Sequence, residues 1–238
     1  DDEQGGSAYG TAANGPFVAK WAGDLGNTFK YSMCPADRPS ATLTGTVAWT
    51  ETSAGSNPGR ITGVGSLFGI ELRVGDAISI TGETGLHVVT TVTSNLVAVA
   101  HSTSSTDSAA VTATTGTRQK RSAFHTIASN LKGTVAVTAD STTVTGTGTL
   151  FSSQFIVGDK ITINGETKKV KTITSATVIV TDTKFLTAAS AQTYTRDWEY
   201  ASAFPEGPPT TSTHAADKSM ALDEIHIAVV DEDGDWTG

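Results

Sequence analysis

The stretch VGDAISITGET at residues 74–84 recurs as VGDKITINGET at residues 157–167, with eight of eleven positions identical. Internal repetition constrains a chain more tightly than composition, because each copy must be a unit that folds the same way. The alignment extends on both sides. One module covers residues 44–117 and contains GTVAWTETSAGSNPGRITGVGSLFGIELRVGD, and a second covers 132–196 and contains GTVAVTADSTTVTGTGTLFSSQFIVGD. The offset is 83 through the Gly-Glu-Thr and 81 where Thr93-Ser94 meets Thr174-Ser175. The second module is therefore two residues shorter at that turn, where a hairpin loop tolerates a change of length.

Within each module the period is two. Ile78 and Ile80 alternate with Ser79 and Thr81, and Ile161 and Ile163 with Thr162 and Asn164. One apolar and one hydroxylated face is the pattern of a half-buried strand. Asn164-Gly165 signals a tight hairpin, since both residues tolerate positive φ. Gly75-Asp76 and Gly158-Asp159 mark a second turn, with Asp able to accept from nearby amides. Leu67-Phe68 and Leu150-Phe151 are expected to plug the two cores. Units of this size bury a modest share of their surface, so each module should be marginal alone.

The fold class expected is mainly β: two tandem small modules, barrel-like or sandwich-like, inserted into a host domain. Residues 1–43 and 197–238 form the host segments, 44–117 the first module, 118–131 a linker and 132–196 the second module. Aromatic residues at only 7% and abundant Gly, Ser and Thr argue against a helical bundle. The net charge of −8 repels phosphate backbones, so nucleic acid is not an expected partner. Cys34 is the only cysteine, which excludes an intrachain disulfide and fits synthesis in a reducing cytosol. The longest apolar runs, such as Ile227 to Val230, are too short to span a bilayer, and no signal peptide opens the chain. The chain is expected to be a piece of a longer protein.

Several constellations invite chemistry. Asp231-Glu232-Asp233-Gly234-Asp235 suggests calcium, but its Gly is in the fourth position rather than the sixth, so an acidic turn is the expectation. His87, His101, His125, His214 and His226 lack metal-ligand spacing and read as ordinary core or surface positions. Asp76 with Glu83, and Asp159 with Glu166, form a duplicated acidic pair. Glycosidases use two carboxylates across a cleft, but positions within turns favour capping. Arg118, Lys120 and Arg121 read as a solvated linker, and Trp21, Trp49, Trp198 and Trp236 as packing at domain junctions rather than a sugar platform. No catalytic, cofactor or metal residues are assigned.

The flanks add a resemblance. FVAKWAGDLGNTFKYSM, through Phe17, Gly23, Gly26 and Asn27, and DEIHIAVVDEDGDWTG, through Asp223, Glu224, His226, Asp231, Asp233 and Gly234, resemble segments of tail sheath proteins of contractile-tailed phages. The resemblance covers about a fifth of the chain and implies an α+β host domain with the modules as variable insertions on the outside of the tail. It implies a structural component of the virion, not an enzyme and not membrane-anchored. Its partners would be copies of itself in a helical or ring assembly and, through the missing core, the tail tube protein. Subunits of this kind rearrange from an extended to a contracted state, driven by stored conformational energy. The alternative is a surface β module that binds a host glycan or a decorating protein. A hydrolase reading rests on the carboxylate pairs alone.

Overall fold

The computed structural model describes residues 29–51, 58–104 and 110–231, and these are mainly β. They fall into two compact units, one of residues 29–33 and 226–231 and the other Cys34–Ile225. In the first unit β1 (Phe29–Pro35) pairs with a strand at the far end of the chain, β18 (Ile225–Asp231), in a two-stranded sheet.

The second unit holds both modules. The first has β2 (Ala41–Thr42), β3 (Thr46–Thr50), β4 (Gly59–Val64), β5 (Ala77–Ile80), β6 (Leu86–Ser94), β7 (Val97–Ser102), β8 (Ala110–Thr114) and β9 (Gly116–Arg118). The second has β10 (His125–Thr126), β11 (Thr134–Val137), β12 (Ser141–Thr147), β13 (Lys160–Ile163), β14 (Glu166–Ser175), β15 (Val178–Phe185), β16 (Ala189–Gln192) and β17 (Tyr194–Asp197). Their strand orders, β2-β9-β5-β6-β7-β4-β3-β8 and β10-β17-β13-β14-β15-β12-β11-β16, are the same topology written twice.

Each sheet closes into a barrel. Strand β8 ends one side of the order and β9 lies at the other, yet only Thr115 separates them in the chain. The continuous run of β8 and β9 thus pairs with β3 on one side and β5 on the other, and the Thr81 N–H to Thr115 O bond at 3.0 Å carries the β5–β9 pairing up to the joining residue. Bulges bend the long strands at matching places, at Val89/Thr91 and Val92/Ser94 in β6 and at Val170/Thr172 and Ile173/Ser175 in β14. Such bulges supply the local twist that closure needs.

Periodicity converts directly into burial: Ile78, Ile80, Ile161 and Ile163 all lie in the cores. Phe68 and Phe151, each opening a one-turn helix, are the buried plugs; Leu150 is buried too, but Leu67 is partly exposed. At the short hairpin Asn164 and Gly165 take φ of 50° and 80°, as a two-residue turn requires. Thr162 faces Thr167, whereas Ser79 faces Leu86, which locates the two-residue difference at this turn. Gly45 and Gly133, at φ of 75° and 81°, bend the chain between β2 and β3 and at the entry to β11. A Cβ on either would press into the carbonyl of Val64 or Thr147.

Two expectations need correction. The segment 118–131 is not a linker: Arg118 ends β9, and His125–Thr126 form β10, which pairs with β17. The unit boundary lies inside the expected host segments, because β2 pairs with β9 and Asp37 N–H donates to Pro209 O at 3.0 Å. The Pro-rich stretch also contains a one-turn helix, Thr213–Asp217, N-capped by Ser212.

Candidate functional site

The duplicated turn aspartates form the most conspicuous polar feature. Asp76 and Asp159 are 0% and 1% exposed. Each begins as turn chemistry: Asp76 Oδ2 accepts from Arg73 N–H at 2.8 Å, and Asp159 Oδ2 from Ile156 N–H at 2.9 Å. Burial without a counter-charge would be costly, so each also meets arginine. Arg196 Nε donates to Asp159 Oδ2 at 2.6 Å, and its other nitrogens reach Ala123 O and Thr126 Oγ1. Burial pushes the Asp159 carboxyl above its ordinary range, and Arg196 pulls it back.

The first barrel solves the same problem with other residues. Arg118 is the equivalent of Arg196 by register, opposite Ile78 as Arg196 is opposite Ile161. Its guanidinium instead donates to Glu71 O at 2.8 Å and Pro39 O at 2.9 Å. Asp76 is met by Arg38 at 2.8 Å and by Arg121 at 3.3 Å. The basic run is therefore not a solvated linker. Arg118 is buried, Arg121 enters the first barrel's turn, and Lys120 pairs with Asp37 at 3.1 Å.

Arg121 stands at the seam between the barrels. A cleft there is lined by Gly75 and Ala77 of the first barrel and by Leu131, Gln154 and Arg196 of the second. Lys132 and Glu51, both buried, and His101 extend the seam. Burial lowers Lys132 while Glu51 opposes the shift; burial also lowers His101, with Lys132 adding to the effect. The repeated helix-end residue contributes in each barrel. Glu71 accepts from Thr44 N–H and Oγ1, and Gln154 Oε1 accepts from Lys132 N–H at 3.3 Å.

The remaining sequence candidates are dispersed. The acidic pairs are not partners: Asp159 faces Arg196, while Glu166 accepts from Leu186 and Thr187 N–H, each at 2.8 Å. The Leu186 N–H, more than any other group, lowers the Glu166 carboxyl. Glu83 lies in the longer hairpin of the first barrel, its N–H donating to Ile80 O. His87 is buried edge-on to Trp49, with ring centroids 4.3 Å apart, and His125 pairs with Asp197 at 2.5 Å. His214 is exposed on the one-turn helix, and His226 lies in β18. Among the described residues no group of three or more His, Cys, Asp or Glu could hold a metal ion.

Trp49 is a core residue rather than a junction residue, while Trp198 is buried against Phe124, Tyr200 and Phe204. Burial pushes the Cys34 thiol up to about 12. Asp223 and Glu224 hold the loop before the last strand. Asp223 accepts from Ser212 N–H at 2.8 Å and from its hydroxyl at 2.6 Å, and Glu224 accepts from Thr210 N–H at 2.8 Å. Trp21, Phe17, Gly23, Gly26, Asn27, Glu232, Asp233, Gly234, Asp235 and Trp236 lie outside the described residues.

Sequence reasoning missed Arg38 and Arg196 as partners of the turn aspartates. The signal was present in Thr117-Arg118 and Thr195-Arg196, a repeated Thr-Arg that ends each barrel. Comparison with protein-family models and with curated proteins found no match to the chain.

Proposed function

We propose that this chain is the outer part of a tail sheath subunit of a contractile-tailed phage, with the two barrels as an insertion displayed on the virion surface. One observation carries the reading: β1 and β18, drawn from the two flanks that resemble sheath segments, are neighbours in one sheet. An inserted region must leave and re-enter its host at adjacent points, and paired strands are the simplest way to do so. A two-stranded sheet is marginal by itself, and Ile225, Ile227 and Val229 are exposed along β18. Further layers of a host domain would cover them.

In this reading the subunit surrounds a tail tube, contacts copies of itself and rearranges during contraction, with no catalytic step required. The reading calls for no nucleic-acid partner and no membrane anchor. No helix among the described residues is long and apolar enough to cross a membrane. A glycan-binding alternative would want an accessible aromatic platform, whereas Trp49 and Trp198 are 0% and 1% exposed.

The test is gold labelling of virions with antibodies raised against the barrels. Label distributed along the tail shaft supports the proposal. Label confined to fibres, baseplate or capsid would contradict it, and micromolar binding on a host-glycan array would favour the alternative.

A further inference from the structure

Among the described residues the asparagines are Asn95, Asn130 and Asn164, and the fold holds them differently. An asparagine side-chain amide can be attacked by the main-chain nitrogen of the next residue. The attack is open when the amide is unheld, that nitrogen makes no hydrogen bond, and no side chain crowds it.

Asn95 and Asn130 meet none of these conditions. Asn95 Oδ1 accepts from Gly69 N–H at 3.0 Å, and the following nitrogen, on Leu96, donates to Ser94 Oγ at 3.2 Å. Asn130 Nδ2 donates to Lys120 O at 3.0 Å, and Leu131 N–H donates to Ala128 O at 3.1 Å. A branched side chain follows in both cases.

Asn164 meets all of them. It is exposed, with Gly165, at the tip of the hairpin between β13 and β14, at φ of 50° and 80°. The ladder bonds of this two-residue loop belong to the flanking pair, Ile163 and Glu166. Neither the Asn164 amide nor the Gly165 N–H makes a hydrogen bond among the described residues. No atom lies within 4 Å of where a Cβ on Gly165 would stand.

We infer that Asn164 is a site of spontaneous deamidation in the folded chain, with Gly165 supplying the attacking nitrogen. Hydroxide takes the Gly165 amide proton, and the nitrogen forms a bond to Asn164 Cγ. The Cγ–Nδ2 bond breaks, and the leaving nitrogen takes a proton from water and departs as ammonia, which regenerates hydroxide. Water then opens the succinimide ring. Breaking the new bond at Cγ gives aspartate; breaking the bond to the Asn164 main-chain carbonyl gives isoaspartate. The net change consumes water and releases ammonia, with no oxidation or reduction.

The two products act differently on the barrel. Aspartate leaves the main chain intact and tolerates positive φ. Isoaspartate routes the main chain through Cβ and Cγ, which lengthens a loop whose two residues fix the pairing of Ile163 with Glu166. Glu166 in turn holds Leu186 and Thr187 N–H. The first barrel is spared, since its hairpin, Thr81 to Gly85, contains no asparagine. The inference stands on the hairpin and does not depend on the phage reading.

The test is to incubate the folded 238-residue chain at mildly alkaline pH and map its tryptic peptides by mass spectrometry against a sample that was not incubated. The mass gain from replacing NH2 by OH should appear in peptide 161–168, faster as pH rises, with isoaspartate detected there by enzymatic methylation. The peptides that carry Asn95 and Asn130 should stay unchanged. Asn164→Gly keeps a turn-compatible pair and should abolish both signals, with circular dichroism verifying its fold. The urea midpoint of the incubated chain should fall as isoaspartate accumulates, while that of Asn164→Gly holds. Absence of a mass gain in peptide 161–168 overturns the inference, as does equal conversion at Asn95 or Asn130. An unchanged midpoint in chains that carry isoaspartate overturns its consequence for the barrel.

Discussion

In the first barrel Trp49 spreads across Gly59, so closely that a Cβ there would stand 2.2 Å from the indole. The second barrel has Val137 and Thr142 at these places, and it recovers the volume elsewhere. Phe151, Phe155 and Tyr194 form an aromatic cluster with centroids 5.7–6.0 Å apart, where the first barrel has Phe68, Leu72 and Gly116. Lys168 takes the place of His87 and lies over Phe185, as His87 lies against Trp49. Topology, bulges and turn aspartates are common to both barrels, while core filling and arginine supply are not. Backbone closure therefore depends on a short set of residues, and the interior volume can be distributed in more than one way.

The largest effect should come from the charge pairs. Arg196→Met strands a buried carboxylate and should cost about 3–5 kcal/mol in urea unfolding. Arg38→Met should cost less, because Arg121 still faces Asp76. Equal losses would remove this distinction between the barrels. Trp49→Val should cost about 3 kcal/mol, and adding Gly59→Thr, to copy the second barrel, should return part of it in a double-mutant cycle. An additive cycle would mean that the two sites are not coupled. Gly165→Ala meets no atom within 4 Å, so its expected loss of about 1–2 kcal/mol is purely that of positive φ.

The smallest effect is on pH dependence. The Glu166 carboxyl is held below its ordinary range in the folded chain, so its stabilisation is full above the unfolded value, about 4.3. It is lost as pH falls through the lower folded value. Glu166→Gln should flatten the acid limb of the stability profile over that interval, which pH-dependent urea midpoints would measure. Glu83, on the longer hairpin, provides the comparison variant.

The repeat, its strands and its Asn-Gly hairpin could be read from the chain because alternation and turn chemistry are local. Closure could not, since it depends on Thr115 and Thr193 joining strands at opposite ends of the sheet order, and no local pattern records which strands meet. The roles of Asp76 and Asp159 in their turns were visible from the Gly-Asp pair. Their arginines were hidden by distance: Arg196 is 37 residues from Asp159, and Arg121 is 45 from Asp76. Basic residues read as a solvated run became structural because the first barrel borrows one of them from the start of the second.

The central proposal is that the two barrels are inserted into a host fold that contributes strands β1 and β18, which pair in one sheet. Its most direct test, on the reading proposed above, is to replace residues 36–224 of the intact protein with a short Gly-Ser turn and to image the tails of phage that carry it by electron cryomicroscopy. The account predicts sheaths that still assemble and contract, thinner by the missing outer density and with the two strands still side by side. Failure of the shortened subunit to fold or to enter a tail would contradict it.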